Sequence, residues 1–293
     1  MFLLAAAVPL NGRQRSADLM YVKVSGDDCW ISAKMDRETD ILYWFRKCMA
    51  NGLFTFYRVG IVSNTSASSV ENPDMDPEKV LNLSSSDNIG PFLITGYGWC
   101  GGNHLDSAGN TTAYCESWYI RLDGRLVSGD VRGRFSRVEI GVLNLLGDSF
   151  AEENVRYSVH RGEIDVECRH KFLVTSPVNV ERYYGMQSMF VGETETLTPG
   201  GKYYEWTQER DVSTFSVDDF PKFREYIESD GEYCQRALLY RKGLGDHRFI
   251  SRGGPVFIGN SWSKSYHCLM VGHTVRPGDR TVWRGTYSWY RRT

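Results

Sequence analysis

Ile41-Leu42-Tyr43-Trp44-Phe45-Arg46 and Leu53-Phe54-Thr55-Phe56-Tyr57-Arg58-Val59-Gly60-Ile61-Val62 are two runs dense in aromatic and β-branched side chains, and between them stands Asn51-Gly52. Side chains of these types fit a pleated, half-buried surface, and Asn-Gly readily takes the positive φ angles of a tight hairpin turn. The pattern predicts a β-hairpin, and the rest of the chain repeats it in weaker forms.

Toward the N-terminus, Leu19 to Val24 and Cys29 to Lys34 flank Gly26-Asp27-Asp28 as a first hairpin. Beyond the central hairpin, Ser63 to Ser86 is rich in Ser, Asn, Asp and Pro and reads as a long surface loop, with at most one helical turn near Pro77 to Leu81. Ile89 to Thr95 enters a glycine-dense loop and Thr111 to Leu122 leaves it, the latter alternating between a Thr111/Ala113/Cys115 face and a Thr112/Tyr114/Glu116 face. Val155 to Val159 pairs with Ile164 to Val174 across Arg161-Gly162, with Glu163, Asp165, Glu167, Arg169 and Lys171 on a solvated face. His170 falls on the apolar side, where a hydrogen-bonded core histidine is expected. Val180 to Val191 is a strand interrupted by Gly185, as at a bulge. Thr198-Pro199-Gly200-Gly201 is a turn. Asp218-Asp219 caps a helix over Asp219 to Ser229, with Phe220, Phe223 and Ile227 at helical spacing. Cys234 to Arg241, Arg248 to Ser251, Pro255 to Gly259, Tyr266 to Gly272 and Arg280 to Tyr290 are further strands. Many strands with no βαβ rhythm predict an all-β protein: a large antiparallel β-sandwich, supersandwich-like, with one short helix.

A chain of 293 residues can bury a core of that size as one domain, here residues 18–293. A formal net charge of -2 gives no electrostatic reason to expect nucleic acid as partner. Aromatic content of 13% suits sheets and also stacking platforms for sugars. Residues 1–17 are a signal remnant or a disordered start: Phe2 to Leu10 is apolar with no preceding Lys or Arg, which reads as a truncated secretory signal or as a buried first strand. A secreted or periplasmic location is the expectation, and no other stretch approaches a membrane span in length. The seven cysteines form no C-x-x-C pair and are expected as buried free thiols.

The candidate site begins at Gly96-Tyr97-Gly98-Trp99-Cys100-Gly101-Gly102-Asn103-His104. Paired glycines let main chain approach a ligand, Trp99 offers an apolar plate, and Asn103 and His104 offer donors, acceptors and a titratable ring. The other reading is a tight turn with Trp99 in the core and His104 in solvent. Tyr183 with Gln187, and Lys264 with Tyr266-His267, are two further clusters that either share a groove with the loop or tie loops together through buried hydrogen bonds. If they converge, the residue types suit β-elimination on uronic-acid polysaccharide: His104 as base, Asn103 or Gln187 at the substrate carboxylate, His267 in the same cleft, and Trp99, Tyr183, Tyr184 and Lys264 binding the sugar. Glycoside hydrolysis would need two carboxyl groups, for which Glu116, Glu163 and Glu167 are available. No serine-hydrolase elbow, phosphate loop, zinc-protease or EF-hand motif occurs, no cofactor is implied, and six histidines without ligand spacing do not argue for a metal.

The Trp- and Tyr-rich strands, Gly101-Gly102-Asn103-His104, Tyr183-Tyr184-Gly185-Met186-Gln187 and Trp283-Arg284-Gly285-Thr286-Tyr287-Ser288-Trp289 together resemble large β-sandwiches of the galactose-mutarotase-like type. That resemblance, one of texture over most of the chain, implies a carbohydrate-active protein such as those secreted by gut bacteria, among them polysaccharide lyases and domains of glycoside hydrolases. The His and Glu pair of the mutarotases has no identifiable counterpart, which puts mutarotation in doubt. Similar texture in phage-tail and cell-surface adhesion proteins implies the alternative of a module that binds a surface glycan without cutting it.

Overall fold

The structure, a computed structural model, describes residues 19–71, 80–85, 88–160, 162–190, 195–198, 202–205, 223–229, 231–240, 256–259 and 264–292. Six strands form one antiparallel sheet in the order β10-β1-β2-β3-β4-β5: β1 (Met20–Ser25), β2 (Asp28–Lys34), β3 (Thr39–Cys48), β4 (Leu53–Ser63), β5 (Leu81–Ser85) and β10 (Val131–Phe135). Five form another, β19-β20-β14-β6-β7: β6 (Phe92–Ile94), β7 (Gly98–Cys100), β14 (Val178–Met189), β19 (Val256–Gly259) and β20 (Lys264–Val275). The largest sheet has ten, in the order β16-β15-β17-β18-β21-β13-β12-β11-β8-β9. They are β8 (Ala113–Leu122), β9 (Arg125–Leu126), β11 (Val138–Leu146), β12 (Ala151–His160), β13 (Glu163–Phe172), β15 (Glu195–Thr198), β16 (Lys202–Glu205), β17 (Phe223–Ser229), β18 (Tyr233–Tyr240) and β21 (Arg280–Arg291).

The ten-stranded sheet is one layer of a sandwich, and both smaller sheets pack on its inner face. Strand β21 shows how. Trp283, Gly285, Tyr287 and Trp289 lie at period two on its buried side. Tyr287 and Trp289 meet Phe56 of the six-stranded sheet edge-on at 5.4 and 6.0 Å, while Trp283 Nε1 donates to Tyr183 OH of the five-stranded sheet at 2.8 Å. Gly285 admits Met186 where a Cβ would stand 2.5 Å from its sulfur. A contiguous apolar core, which includes Phe45, Phe56, Phe92, Tyr157 and Phe172, runs through all three sheets.

Several expectations change in three dimensions. The hairpin joining β3 to β4 turns over four residues, Met49 to Gly52, with Met49 and Gly52 at positive φ. Asn51 turns its side chain inward instead. The Phe223–Ser229 part of the expected helix is strand β17, held by backbone pairing to β15 and β18; residues 219–222 lie outside the described residues. Among the described residues there is no helix, so none is long and apolar enough to cross a membrane. Part of the long loop is strand β5, which pairs with β4. The simple alternation expected along β8 breaks at Glu116, which a bulge leaves opposite no single partner, so that Ala113 faces inward before it and Ile120 and Leu122 after it. The apolar start and the strand expected at 248–251 lie outside the described residues.

Candidate functional site

The site is assembled on the five-stranded sheet from the glycine loop and β14. Gly96, Gly98, Gly101 and Gly102 all have positive φ, which lets the loop fold back on itself beside Pro91 and Leu146. Its main chain is tied down from the central hairpin. Asn51 Nδ2 donates to the Gly102 and His104 carbonyls at 2.9 and 3.0 Å, and Asn51 Oδ1 accepts from the Thr112 amide at 2.8 Å. Thr112 Oγ1 donates to the His104 carbonyl at 2.6 Å, and Asn103 Oδ1 accepts from the Ala50 amide at 2.8 Å. These bonds anchor the loop backbone, and Trp99 and His104 are left half-buried at its rim.

Strand β14 reaches the same place because Gly90 has no side chain: a Cβ there would lie 1.5 Å from the Tyr184 carbonyl oxygen. The Trp99 ring stacks against His104 at 4.9 Å and against Tyr184 at 5.5 Å, and Tyr184 leans on Tyr266 of β20 at 4.9 Å. Exposed Arg182 donates from Nη1 to Tyr184 OH at 3.1 Å, and that hydrogen bond helps raise the guanidinium pKa further above its ordinary value. The result is a row of four half-buried rings drawn from the loop, β7, β14 and β20, with a fixed cation beside it. Rings that already brace one another lose little freedom when a ligand packs on them. At the other end of the loop, Gly96-Tyr97 borders a groove of about 620 Å³ whose walls include Phe150 and Val174.

The double-glycine bend and the interrupted aromatic strand therefore do meet, and His104, Trp99 and Tyr184 come together. Tyr266, named in the sequence only as a neighbour of His267, and Arg182 join them. Tyr183 does not: it is wholly buried, its ring stacked on Phe92 at 4.0 Å. Gln187 is buried with its main-chain carbonyl accepting from Tyr287 OH, and His267 is buried opposite Met186. Bulges beside Gly185, where a Cβ would stand 2.3 Å from Leu269, break the period that would put Tyr183 and Gln187 on one face. Lys264 pairs through its backbone with Met189 on β14, and its side chain lies outside the described residues.

The carboxylates considered for hydrolysis all sit on strands of the ten-stranded sheet. Burial alone would raise the Glu167 carboxyl, but hydrogen bonds from Arg169 and Arg284 and the charge of Arg156 hold it below its ordinary value. All seven cysteines are free and five are buried. Burial pushes the Cys100 thiol up to about 12 and Cys168 well above its ordinary range, so neither is a ready nucleophile. Between the layers lies a second polar group, Asn144, Glu153, Cys168, His170 and Tyr183, in which Glu153, Cys168 and His170 have the donor types and closeness of metal ligands.

Fold and site together define an all-β antiparallel supersandwich with an aromatic surface row. No family model matches the chain, and no curated protein matches it. Among solved structures it is similar to the galactosidase domain of alpha-galactosidase-sucrose kinase, AgaSK, with a TM-score of 0.52 and 12% identity over 91% of this chain and 41% of that one. The alpha-galactosidase from Lactobacillus brevis aligns at a TM-score of 0.48 and 10% identity, over 92% of this chain and 39% of that one. The chain thus spans about two fifths of the length of these proteins, and at such identity the first likeness is one of fold.

Proposed function

We propose that this protein binds a polysaccharide or surface glycan through the row His104, Trp99, Tyr184 and Tyr266. The observation that carries the reading is the convergence of these rings, from three separate stretches of chain, into one braced and partly exposed row. Aromatic surfaces of this kind offer apolar area with polar rims, which suits a ligand that is apolar on its ring faces and hydroxylated at its edges. Arg182 adds a permanent positive charge at the row, which favours acidic sugars such as uronates. Export to the periplasm or cell exterior belongs to the same proposal, since surface glycans are met there. That the neighbour of like fold is a galactosidase domain is in keeping with a carbohydrate ligand.

The test is affinity electrophoresis and calorimetry against a panel of neutral and uronate polysaccharides. Wild type should be retarded by at least one of them, and Trp99→Ala or Tyr184→Ala should weaken binding about tenfold or more, the loss expected for one aromatic hot spot. Retention of full affinity by both variants would remove the row from the binding face.

A second reading, β-elimination on a uronate glycan, draws on His104 and Arg182 flanking the same rings, as base and as partner of the substrate carboxylate. It expects unsaturated ends to accumulate, seen by ultraviolet absorbance, and to vanish in His104→Ala while binding persists. Binding with no product over long incubation leaves the adhesion module as the better description.

A further inference from the structure

Beneath the five-stranded sheet, Glu153 and His170 face each other across β12 and β13, and Cys168 lies two residues before His170 on the same inner face. Tyr183 reaches them from β14 in the opposite layer. Around Nε2 of His170 stand Glu153 Oε2 at 3.0 Å, Tyr183 OH at 3.4 Å and Cys168 Sγ at 3.6 Å, with the last two 3.9 Å apart. The ligating atoms of Glu153, Cys168 and His170 all lie within 4.8 Å of one another, and all three residues are buried.

We propose that Glu153, Cys168 and His170, with the Tyr183 hydroxyl as fourth donor, form a structural site for a zinc-class divalent cation that clamps the two layers of the sandwich. With zinc about 2.0–2.2 Å from nitrogen and oxygen and about 2.3 Å from sulfur, neighbouring ligand atoms of a tetrahedron stand about 3.3–3.6 Å apart. Of the spacings around Nε2, 3.4 and 3.6 Å fall within that range and 3.0 Å lies a few tenths of an ångström below it, while the 3.9 Å between Cys168 Sγ and Tyr183 OH lies a few tenths above. Proton chemistry serves this crowd less well. One imidazole nitrogen offers either one hydrogen or one lone pair, so hydrogen bonding uses one of its three contacts at a time, whereas a single cation satisfies carboxylate, thiolate, imidazole and phenol together.

The surroundings fit the same reading. A carboxylate and a thiolate neutralise a divalent ion, which suits a site walled by Phe92 and Phe172, where unbalanced charge is expensive. Outer partners orient two of the four ligands: Asn144 Nδ2 donates to Glu153 Oε1 at 2.9 Å, and Trp283 Nε1 donates to Tyr183 OH at 2.8 Å. The donors belong to both layers and enclose the position, the pattern of a structural rather than a catalytic ion. On binding, the Cys168 thiol proton passes to solvent as the sulfur–metal bond forms.

The test uses the full, untagged chain purified without chelators. Elemental analysis should find close to one zinc per chain after gel filtration. Chain unfolded in guanidinium with chelator and refolded with Zn2+ should melt several degrees higher than chain refolded without it. Refolding with Co2+ should give the visible bands of tetrahedral cobalt together with a thiolate-to-cobalt charge-transfer band. That band should disappear in Cys168→Ser and persist in Cys115→Ser, a half-buried thiol outside the cluster. Zinc at background level with no cobalt bands in wild type overturns the site without recourse to any variant, as does a charge-transfer band undiminished in Cys168→Ser.

Discussion

At Gly90 the fold has room for a hydrogen and nothing larger, because a Cβ would press on the Tyr184 carbonyl and side chain at 1.5–2.7 Å. Gly90→Ala should therefore destabilise the chain by about 3 kcal/mol or more, the upper end of overpacking penalties, and should weaken glycan binding by displacing Tyr184. Gly26→Ala, with nothing within 4 Å but a φ of +57°, should cost only about 1 kcal/mol and leave binding intact. Chemical denaturation of the two variants beside wild type checks the contrast; equal losses would contradict it. Asn51→Ala should cost about 2–3 kcal/mol by leaving the Gly102 and His104 carbonyls and the Thr112 amide short of a buried partner. Residue type alone reveals part of this. Trp99, His104 and Tyr184 stand out in the sequence as plates and titratable groups. Gly90 passes unmarked inside the Ile89 to Thr95 run, and Asn51 beside Gly52 reads as a turn former, because the atoms that give them their roles are supplied by residues far along the chain. Tyr183 and Tyr184 are alike in sequence, and only packing sends one into the core and the other to the rim.

At the scale of the element, β13 is the strand whose inner face period two predicts well: Ile164, Val166, Cys168, His170 and Phe172 are buried, while Glu163, Asp165, Arg169 and Lys171 alternate with them on the outer face; Glu167, expected in solvent with these four, is instead buried among Arg156, Arg169 and Arg284. Glu167 shows what that outer face adds. Its carboxyl is held below its ordinary value, so the folded chain takes up this proton less readily than the unfolded chain. The resulting stabilisation is complete above the unfolded value of about 4.3 and is lost as pH falls through the lower folded value. Urea unfolding should find wild type more stable than Glu167→Gln at pH 7, with the gap narrowing as the pH drops to 3. A gap that stays constant with pH would show that the arginines do not act through the carboxylate charge. Elements fail to be legible where one residue breaks the period. Glu116 on β8 and Gly185 on β14 sit at bulges, which shift every later side chain by one face. In β17, the spacing of Phe223 and Ile227 suits a helix turn, yet backbone pairing to neighbours on both sides holds a strand.

For the whole molecule, the abundance of strands, turns and aromatic residues announces an all-β sandwich, and the structure is one. What the chain order conceals is that three sheets make two layers, since sheet membership follows pairings between segments as distant as β13 and β21, or β6 and β14. The same long-range pairing brings the glycine loop to β14 and creates the ring row. Of the expected site, the part at the surface is assembled and the part built on Tyr183, Gln187 and His267 is core. The glycan face proposed above lies on the five-stranded sheet. Its most direct measurement is residue-resolved covalent footprinting of the protein with and without the polysaccharide that retards it best. Trp99, His104, Tyr184 and Tyr266 should be protected, with the exposed Tyr119 of the ten-stranded sheet unchanged; protection at Tyr119 with the ring row unprotected would place the glycan on the other layer.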